Sequence, residues 1–462
     1  MNPVLALSGT QQGALLRSGE LTAHELIAQH LIQIDAINPG LNAVVEVLRE
    51  TALAEAAQSH ERYCNGVARG PLDGVPFSVK DSIEVQGTVC SAGTLGYRNR
   101  PASTADATVV AALRRAGAIP IARTNLPDLL FAFESDNLIY GRTNNPYDPA
   151  RTSGGSSGGE AALIAACGSP FGLGSDAAGS VRVPAHYCGI ASIKPTSGRF
   201  PRTGHVPPPA GWLEQIWQIG PLARRVEDLQ TLMPLLAVPD GVDRTVIPMP
   251  HGNPRNVAIN QLRIAYFTDN GIVAADADTT RVVRQAAEAL RQRARSVTAA
   301  KPPSIEHTYE LEMGIIGPDG GKGLRDYLGS IGSTATHPLL EGWLRKLPPY
   351  QTDLAGFAAY WAKLDRFRES MFQFLQSYDV LLSPAAASPA VLHGQSIDDQ
   401  IFKGFSYTMT HNMTGWPAGV VRCGQSSDGL PIGVQIAAAP WREDIVLTIL
   451  AALEQDLGGW SQ

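Results

Sequence analysis

The sequence predicts an α/β protein, with one large domain of α/β/α layers around a mixed β-sheet and helices packed outside it at the N-terminus. Short apolar segments typical of strands alternate with helical segments from about residue 71 onwards. Hydrophobic residues make up 44% of the 462 residues and charged residues 17%, which allows a large buried core and excludes intrinsic disorder. We find no internal repeat of fixed period, so we treat residues 1–462 as a single domain.

Residues 1–70 predict a helical N-terminal region. Thr22 and Glu25 have the spacing of a capping box, which satisfies free N–H groups at the start of a helix. A second helix is predicted from about Arg49 to Tyr63. The residues after the capping box form an apolar stripe with helical spacing: Leu26, Ile27, His30, Leu31 and Ile34.

Residues 71–235 predict the part of the sheet that carries the chemistry. The segment Gly74–Lys80 (GVPFSVK) predicts a short apolar strand that ends on a lysine. Two segments rich in Gly, Ser and Ala follow, at Arg142–Gly159 and Gly172–Pro184, and the first has too many turn-forming residues for a regular element. The other predicted elements here are a helix over Thr108–Ala116, a strand over Ile119–Ala122 and a helix over Glu160–Ala166.

The polar, proline-containing stretch over residues 238–260 is the best candidate for an internal linker. Residues 262–462 carry no obvious catalytic cluster, and we interpret them as the remainder of the same sheet with helices that cover a pocket. The elements predicted there are strands at Leu262–Phe267, Val380–Leu382, Gly419–Cys423 and Ile432–Ile436, and helices at Asp278–Arg293, within Leu339–Gln376 and at Glu443–Leu453.

Charge and hydropathy exclude several classes of protein. The net charge is -6, and no Lys/Arg cluster is long enough to form a nucleic-acid footprint, so we expect no nucleic-acid partner. No apolar run reaches about 18 residues, so we expect no membrane span. The first 20 residues lack the basic and apolar regions of a secretory signal, and we therefore predict a cytoplasmic protein.

The cysteine and histidine patterns predict neither a disulfide framework nor a metal site. The cysteines are odd in number, no C-x-x-C occurs, and the ten histidines show no H-E-x-x-H spacing. We expect free thiols in a reducing compartment, no metal and no cofactor. The five cysteines are Cys64, Cys90, Cys167, Cys188 and Cys423.

Three features are candidates for chemistry: Lys80 at a strand end, the pair Ser156–Ser157 in a glycine-rich loop, and Ser180 after a short run of small residues. Each has an ordinary explanation when taken alone. A lysine at a strand end is usually a solvated charge, and Ser/Gly loops are usually turns. Their combination at fixed spacing is what makes them informative.

Together these segments resemble the amidase signature hydrolases. The sequence GGSSGGEAALIA…GLGSDAAGSVRVP, from Gly154 to Pro184, matches that family's signature over some thirty residues, with one departure at Ala178, where many members carry Gly. The segments GVPFSVKD, GRTNNPYDPARTS, GIASIKPTSGR, GPLARRVEDL, NMTGWPAG and GLPIGVQIAA also resemble family segments, so the likeness spans nearly the whole chain. The fixed points of the match are Gly154, Ser156, Gly158, Gly159, Gly174, Asp176, Ser180, Arg182 and Pro184.

The resemblance implies a catalytic triad of Lys80, Ser156 and Ser180. By the same resemblance Ser180 is the nucleophile, Ser156 is a bridging serine preceded by a cis peptide bond, and Lys80 is the base. The family hydrolyses carbon–nitrogen bonds of small-molecule amides without a cofactor, and its members are often dimers, so a homodimer is a further expectation.

Elementary chemistry supports this assignment. A serine hydroxyl is a weak nucleophile until a base takes its proton, and a lysine can do so only when it is neutral. Burial among Val75, Phe77 and Val79 would disfavour the charged form of Lys80. Asp81 comes next in the strand, so its side chain should point to the opposite face and not pair with Lys80.

The run from Asp176 to Ser180 predicts an anion-binding turn. We expect the backbone N–H groups of Ala177, Ala178, Gly179 and Ser180 to converge as an oxyanion hole. We expect three further residues to support the turn. Asp176 and Arg182 should form a rigid bidentate ion pair, and Ser157 should donate a hydrogen bond to the loop. These supporting residues are Ser157, Asp176 and Arg182.

The substrate pocket is predicted from aromatic and apolar residues. The stretch that holds Leu130, Phe131 and Phe133 corresponds to one that lines the acyl pocket in fatty-acid amide hydrolases, although a core position explains it equally well. The segment over residues 200–217, which contains Trp212, has the proline and aromatic content of a pocket rim or lid. Trp416 is a further candidate for the same cavity. An apolar pocket for an aryl or alkyl group follows as a hypothesis.

Two other functions remain open at this point. The substring GGSSG also fits the G-x-S-x-G nucleophile elbow of α/β-hydrolases, with Ser156 as the nucleophile of an esterase, but this needs a strand directly before it. The same triad could instead release ammonia in the A-type subunit of a glutamine-dependent tRNA amidotransferase. The chain lacks the tyrosine-rich segment that we would expect of that subunit. Anilides, esters and carbamates are equally possible substrates, because all of them pass through an oxyanion.

Overall fold

A computed structural model describes residues 2–208 and 210–461. Within these residues the strands form one eleven-stranded sheet with the order β1-β3-β2-β4-β6-β5-β10-β11-β9-β7-β8. The strands are β1 (Val44–Val47), β2 (Pro76–Lys80), β3 (Ile119–Thr124), β4 (Phe171–Asp176), β5 (Ala191–Lys194), β6 (Gln218–Ala223), β7 (Arg263–Tyr266), β8 (Ser296–Ala299), β9 (Val380–Pro384), β10 (Ala418–Gln425) and β11 (Pro431–Ala438).

Helices cover this sheet. In the described part of the chain the α-helices are α1 (Gly9–Ser18), α2 (Ala23–Leu41), α3 (Arg49–Cys64), α4 (Thr108–Arg115), α5 (Gly158–Ala165), α6 (Arg182–Cys188), α7 (Val226–Leu236), α8 (Ala277–Arg291), α9 (Thr308–Ile316), α10 (Lys322–Ser330), α11 (Pro338–Leu344), α12 (Leu354–Phe374), α13 (Asp399–Lys403), α14 (Ser406–Met413) and α15 (Glu443–Leu457). None of them is long and apolar enough to cross a membrane.

The sheet is mixed and continuous, which confirms the predicted fold class. β2 pairs in parallel with β3 and β4, whereas β4, β6, β5, β10, β11 and β9 pair in antiparallel fashion. β10 joins β5 through the register Ala418↔Lys194, so strands from before and after residue 250 lie in one sheet. The predicted linker over residues 238–260 therefore connects two parts of one domain and does not separate two domains. Its contacts include the Ile247 N–H donating to the Gly198 carbonyl (2.9 Å).

Two differences from the sequence analysis concern strands. The N-terminal 70 residues are not helical throughout. The strand β1 lies between α2 and α3 and pairs with β3 in antiparallel fashion at one edge of the sheet. The segment after Pro170 forms a buried strand, β4, where the sequence analysis predicted no regular element and noted only a stretch rich in Gly, Ser and Ala. Its glycines are required by close packing: a Cβ on Gly172 would meet Glu160 Oε1 at 1.8 Å, and one on Gly174 would meet Ser157 Oγ at 2.7 Å.

Candidate active site

Lys80 ends β2 with its side chain wholly inside the protein. Its Nζ donates to Ser156 Oγ at 2.7 Å and to Ser175 Oγ at 3.2 Å. Burial disfavours the ammonium and lowers the pKa of Lys80 well below its ordinary value, although the carboxylates of Asp176 and Glu160 oppose this shift. The lysine is therefore suited to accept a proton from the hydroxyl beside it.

Asp81 points away from Lys80, as the alternation along a strand predicts. Its Oδ1 pairs with Arg123 Nη2 at 2.7 Å, and its Oδ2 accepts a hydrogen bond from the Ser91 hydroxyl. Asp81 thus neutralises a different buried cation. Glu160 is one of the two carboxyls that act on Lys80, after Asp176, and its own pKa rises to about 7 because burial outweighs hydrogen bonds from Ser78 and Thr124.

Ser156 lies in the glycine-rich loop just before α5. The peptide bond between Gly155 and Ser156 is cis. A Cβ on Gly155 would lie 2.6 Å from both the Ala132 carbonyl oxygen and the Glu134 nitrogen, so the loop backbone passes where only glycine fits. Because residues 153–157 form no strand in the described chain, the strand–turn–helix geometry of a nucleophile elbow is not found at Ser156.

Ser180 lies beyond the end of β4, in a turn held by Asp176. The Gly179 N–H donates to Asp176 Oδ1 (2.8 Å), the Val181 N–H donates to Oδ2 (3.1 Å), and the Ser157 N–H donates to the Ser180 carbonyl (3.0 Å). Ser157 Oγ also contacts the backbone of β4, at 3.3 Å from the Ser175 carbonyl oxygen. The nucleophile candidate is therefore held through its backbone, while its hydroxyl faces a cavity.

The ion pair expected between Asp176 and Arg182 is present and bidentate, with Nε–Oδ2 at 3.0 Å and Nη2–Oδ1 at 2.8 Å. Burial raises the pKa of Asp176, but the Arg182 guanidinium and a hydrogen bond from Asn412 outweigh it and lower the pKa to about 2. The remaining Arg182 donors are used by Thr408, Gln435 and Asn412. This network fixes the turn that carries Ser180 against α14.

The anion-binding turn differs in one respect from the sequence prediction. The N–H of Gly179 is committed to Asp176, whereas those of Ala177, Ala178 and Ser180 have no acceptor among the described residues. Gly179 has φ of 131°, and Ala178 does not adopt a positive φ, so alanine costs no backbone strain there. Three N–H groups are therefore available at this turn.

A small cavity of about 60 Å³ opens in front of the two serines. Leu130, Phe131 and Phe133 all contribute to its wall, so these residues lie where the pocket hypothesis places them. Most other wall residues are apolar, and half of those apolar residues come from α9 onwards. The additional lining residues include Trp217, Glu312, Met313, Trp343, Phe402 and Met409.

The two tryptophans assigned to the pocket have different positions. Trp212 is 42% exposed and lies in an outer groove, where its ring packs against Phe357. Trp416 does not line the cavity: it is buried in a separate core cluster and stacks on His411. The structure therefore places Trp416 in that core cluster and not in the wall of this cavity, where the sequence analysis expected it.

Residues 262–462, interpreted from the sequence as sheet and pocket-covering helices without a catalytic cluster, also bring a polar side chain to the cavity. Glu312, on α9, brings a buried carboxyl to the cavity wall. The sequence around Glu312 gives no sign of this position, because α9 has the mixed composition of an ordinary helix. Glu312 is also far along the chain from Ser156 and Ser180, so only the folded structure shows that they line one cavity. In the described residues no group of three or more His, Cys, Asp or Glu side chains is arranged to hold a metal ion.

Comparison with known proteins matches nearly the whole chain to one family. The sequence profile of the Amidase family matches residues 25–447. Human fatty-acid amide hydrolase 2 is 30% identical over 99% of this chain and 90% of its own. The A subunit of glutamyl-tRNA(Gln) amidotransferase from Lachnospira eligens is also 30% identical, over 98% of this chain and 99% of its own. A structure of 6-aminohexanoate cyclic dimer hydrolase with substrate is 29% identical and aligns with a TM-score of 0.85 over 98% of this chain and 97% of that one.

Proposed function

The chain belongs to the amidase signature family and is an amide-hydrolysing enzyme, and on that basis we propose that it acts through a Ser-Ser-Lys triad. Ser180 is the nucleophile, Ser156 relays the proton and Lys80 is the base. The observation that carries this proposal is the 2.7 Å contact between Lys80 Nζ and Ser156 Oγ inside a buried site. A neutral amine held against a hydroxyl supplies the base that serine needs.

The first step forms an acyl-enzyme. Ser180 Oγ attacks the substrate carbonyl carbon as its proton passes to Ser156 Oγ, while the Ser156 proton passes to Lys80 Nζ. The carbonyl π electrons become an oxyanion, which the free N–H groups of Ala177, Ala178 and Ser180 stabilise. Collapse of this intermediate breaks the carbon–nitrogen bond.

The leaving nitrogen takes a proton back along the same path, from Lys80 through Ser156, and departs as an amine. Water then attacks the ester on Ser180, and its proton follows the relay to Lys80 as the second oxyanion forms. Collapse returns the proton to Ser180 Oγ and releases a carboxylic acid. The same steps accept anilides, esters and carbamates, because each passes through an equivalent oxyanion.

The cavity favours a substrate with an apolar aryl or alkyl group. The inner cavity holds only about 60 Å³, but it shares the side chains of Phe131, Trp217 and Trp343 with an outer groove of about 350 Å³. A volume of that size suits a small-molecule ligand. Trp212 and the 200–217 segment border this groove, which supports a rim function for that segment.

The tRNA amidotransferase subunit remains the second candidate, because one relative of that name matches almost end to end. That function needs partner subunits, whereas a stand-alone amidase does not. Stable hydrolysis of simple amides by the purified chain alone would favour the amidase. A cytoplasmic location and a homodimer stay predictions from the sequence.

The triad is tested by active-site labelling. A fluorophosphonate should label Ser180, and peptide mapping after labelling identifies the modified serine. Ser180→Ala should abolish both labelling and turnover of p-nitroanilides, amides and carbamates. Ser156→Ala should lose several orders of magnitude in rate yet leave a trace, since water can relay the proton in part. Labelling at Ser156, or activity in Ser180→Ala but not in Ser156→Ala, would reverse the assignment.

A further inference from the structure

Glu312 is an unused polar group in the wall of the catalytic cavity. It lies on α9 and is 2% exposed, and it lines the same cavity as Ser156 and Ser180. Its carboxyl makes no hydrogen bond with any described residue, and Oε2 is completely buried. Buried polar atoms in folded proteins almost always have a partner, so this carboxyl calls for an explanation.

No cation compensates Glu312. The charged groups that act on Glu312 are Arg182, which favours its ionisation, and Asp176, which opposes it. The guanidinium of Arg182 already donates to Asp176 and to three other acceptors. Burial is the largest influence and raises the pKa of Glu312 well above its ordinary value. Burial therefore favours the protonated carboxyl, which has one O–H to donate into the cavity.

A second free donor lines the same cavity. The indole Nε1 of Trp217 is buried and has no hydrogen-bond partner among the described residues. Apart from these two groups and the serine hydroxyls, the side chains that line the cavity are apolar. A purely hydrocarbon substrate would leave both donors unsatisfied, which is costly in a water-free site.

Resting on the function proposed above, we propose that Glu312 is a specificity-determining residue whose neutral carboxyl donates a hydrogen bond to an uncharged acceptor oxygen in the part of the substrate that fills the cavity. An ether oxygen or a second amide carbonyl has the right chemistry, and the Trp217 indole N–H adds to the same preference. An ammonium group is disfavoured, because burying an ion pair here would require both charges to lose their water.

The test is an oxygen scan in the acyl group. A series of p-nitroanilides is made in which one methylene at successive positions is replaced by an ether oxygen, and each is compared with its all-methylene parent and with an ω-amino analogue. Wild type should prefer one ether position by about tenfold in kcat/KM, the effect of one buried hydrogen bond. Glu312→Gln keeps an uncharged donor and should retain the preference, whereas Glu312→Leu should lose it.

The matched control is Glu310→Leu, the same change two residues away on α9, where the side chain is half exposed and contacts Lys363 outside the cavity. It should keep the wild-type preference. Faster turnover of the ω-amino analogue than of the ether series by wild type, lost in Glu312→Gln, would mean that Glu312 acts as an anion and would overturn the proposal. An unchanged preference in Glu312→Leu would also overturn it.

Calorimetric binding of the same ether and methylene anilides to Ser180→Ala separates this inference from the proposed function. If wild type hydrolyses none of the anilides but Ser180→Ala binds the ether more tightly, and Glu312→Leu in that background does not, the amidase mechanism fails and the role of Glu312 stands. If wild type hydrolyses them but neither assay shows an oxygen preference, the mechanism stands and the role of Glu312 is refuted.

Discussion

The Nζ of Lys80 lies 2.7 Å from Ser156 Oγ, with the lysine side chain completely buried at the end of β2. An ammonium in that position would have lost its water without a carboxylate in direct contact. The strand buries the lysine, burial lowers its pKa, and the amine faces the hydroxyl from which the proposed mechanism has it take a proton.

The rate should consequently depend on pH through Lys80. Only the neutral amine accepts a proton, so kcat/KM should rise as pH increases through the lowered pKa and remain high on the alkaline side. Lys80→Arg keeps the positive charge but cannot act as a base, and it should lose most of the rate. The measurement is kcat/KM against pH for both proteins, with circular dichroism to check the fold. Near-wild-type activity of Lys80→Arg would rule out the Ser-Ser-Lys mechanism.

Asp176→Asn should destabilise the protein strongly at neutral pH. It leaves the Arg182 guanidinium buried without a counter-charge, which costs about 3–5 kcal/mol in the free energy of unfolding. The folded pKa of Asp176 is about 2 against an ordinary 3.8, so its stabilising contribution is complete above pH 3.8 and is lost as pH falls through 2. Chemical denaturation measures both effects.

Asp35→Asn is the control for that experiment, because it breaks an exposed pair with Arg49. We expect it to change the free energy of unfolding by less than about 1 kcal/mol. Equal effects of the two substitutions would show that the Asp176–Arg182 pair does not hold the catalytic turn.

Glu312→Gln should stabilise the enzyme at neutral pH, although it keeps the shape of the side chain. Folding favours the protonated carboxyl, so wild type loses stability as pH rises above the ordinary value of 4.5 towards the higher folded pKa, while the amide variant does not. Between those two pKa values the gap should grow by about 1.4 kcal/mol for each pH unit, because the unfolded carboxyl loses its proton first. Thermal unfolding between pH 4 and pH 9 tests this, with Glu310→Gln as control. A gap that shrinks as pH rises would contradict it.

Trp212 and Trp416 should respond oppositely to truncation. Trp416→Ala should cost about 3–5 kcal/mol in stability, because it empties a packed core position. Trp212→Ala should leave stability nearly unchanged and raise KM for amides with long apolar groups, since its ring borders the outer groove. Thermal unfolding and steady-state kinetics on a chain-length series separate the two roles. A loss of stability only in Trp212→Ala would contradict the assignment of Trp416 to the core and of Trp212 to the groove.

The sequence by itself determined the parts of this protein that depend on short-range order. The β/α alternation predicted the layered sheet, and the motif placed Lys80 at a strand end and Ser180 after Asp176. The Asp176–Arg182 pair was also predicted from the sequence, because the two residues flank one short turn between β4 and α6. The sequence likewise predicted that Asp81 does not pair with Lys80, because neighbouring residues of a strand point to opposite faces, and Asp81 pairs with Arg123 instead.

Only the tertiary structure decided which distant residues meet. The strand β4 was not predicted from the sequence, and its glycines leave room for the side chains of Glu160 and Ser157. Trp416 is in the core, and Glu312 reaches the cavity from a helix that looks ordinary in sequence. Hydrophobic burial is non-directional, so an apolar or aromatic residue does not reveal which cavity or core it will fill until the helices have packed.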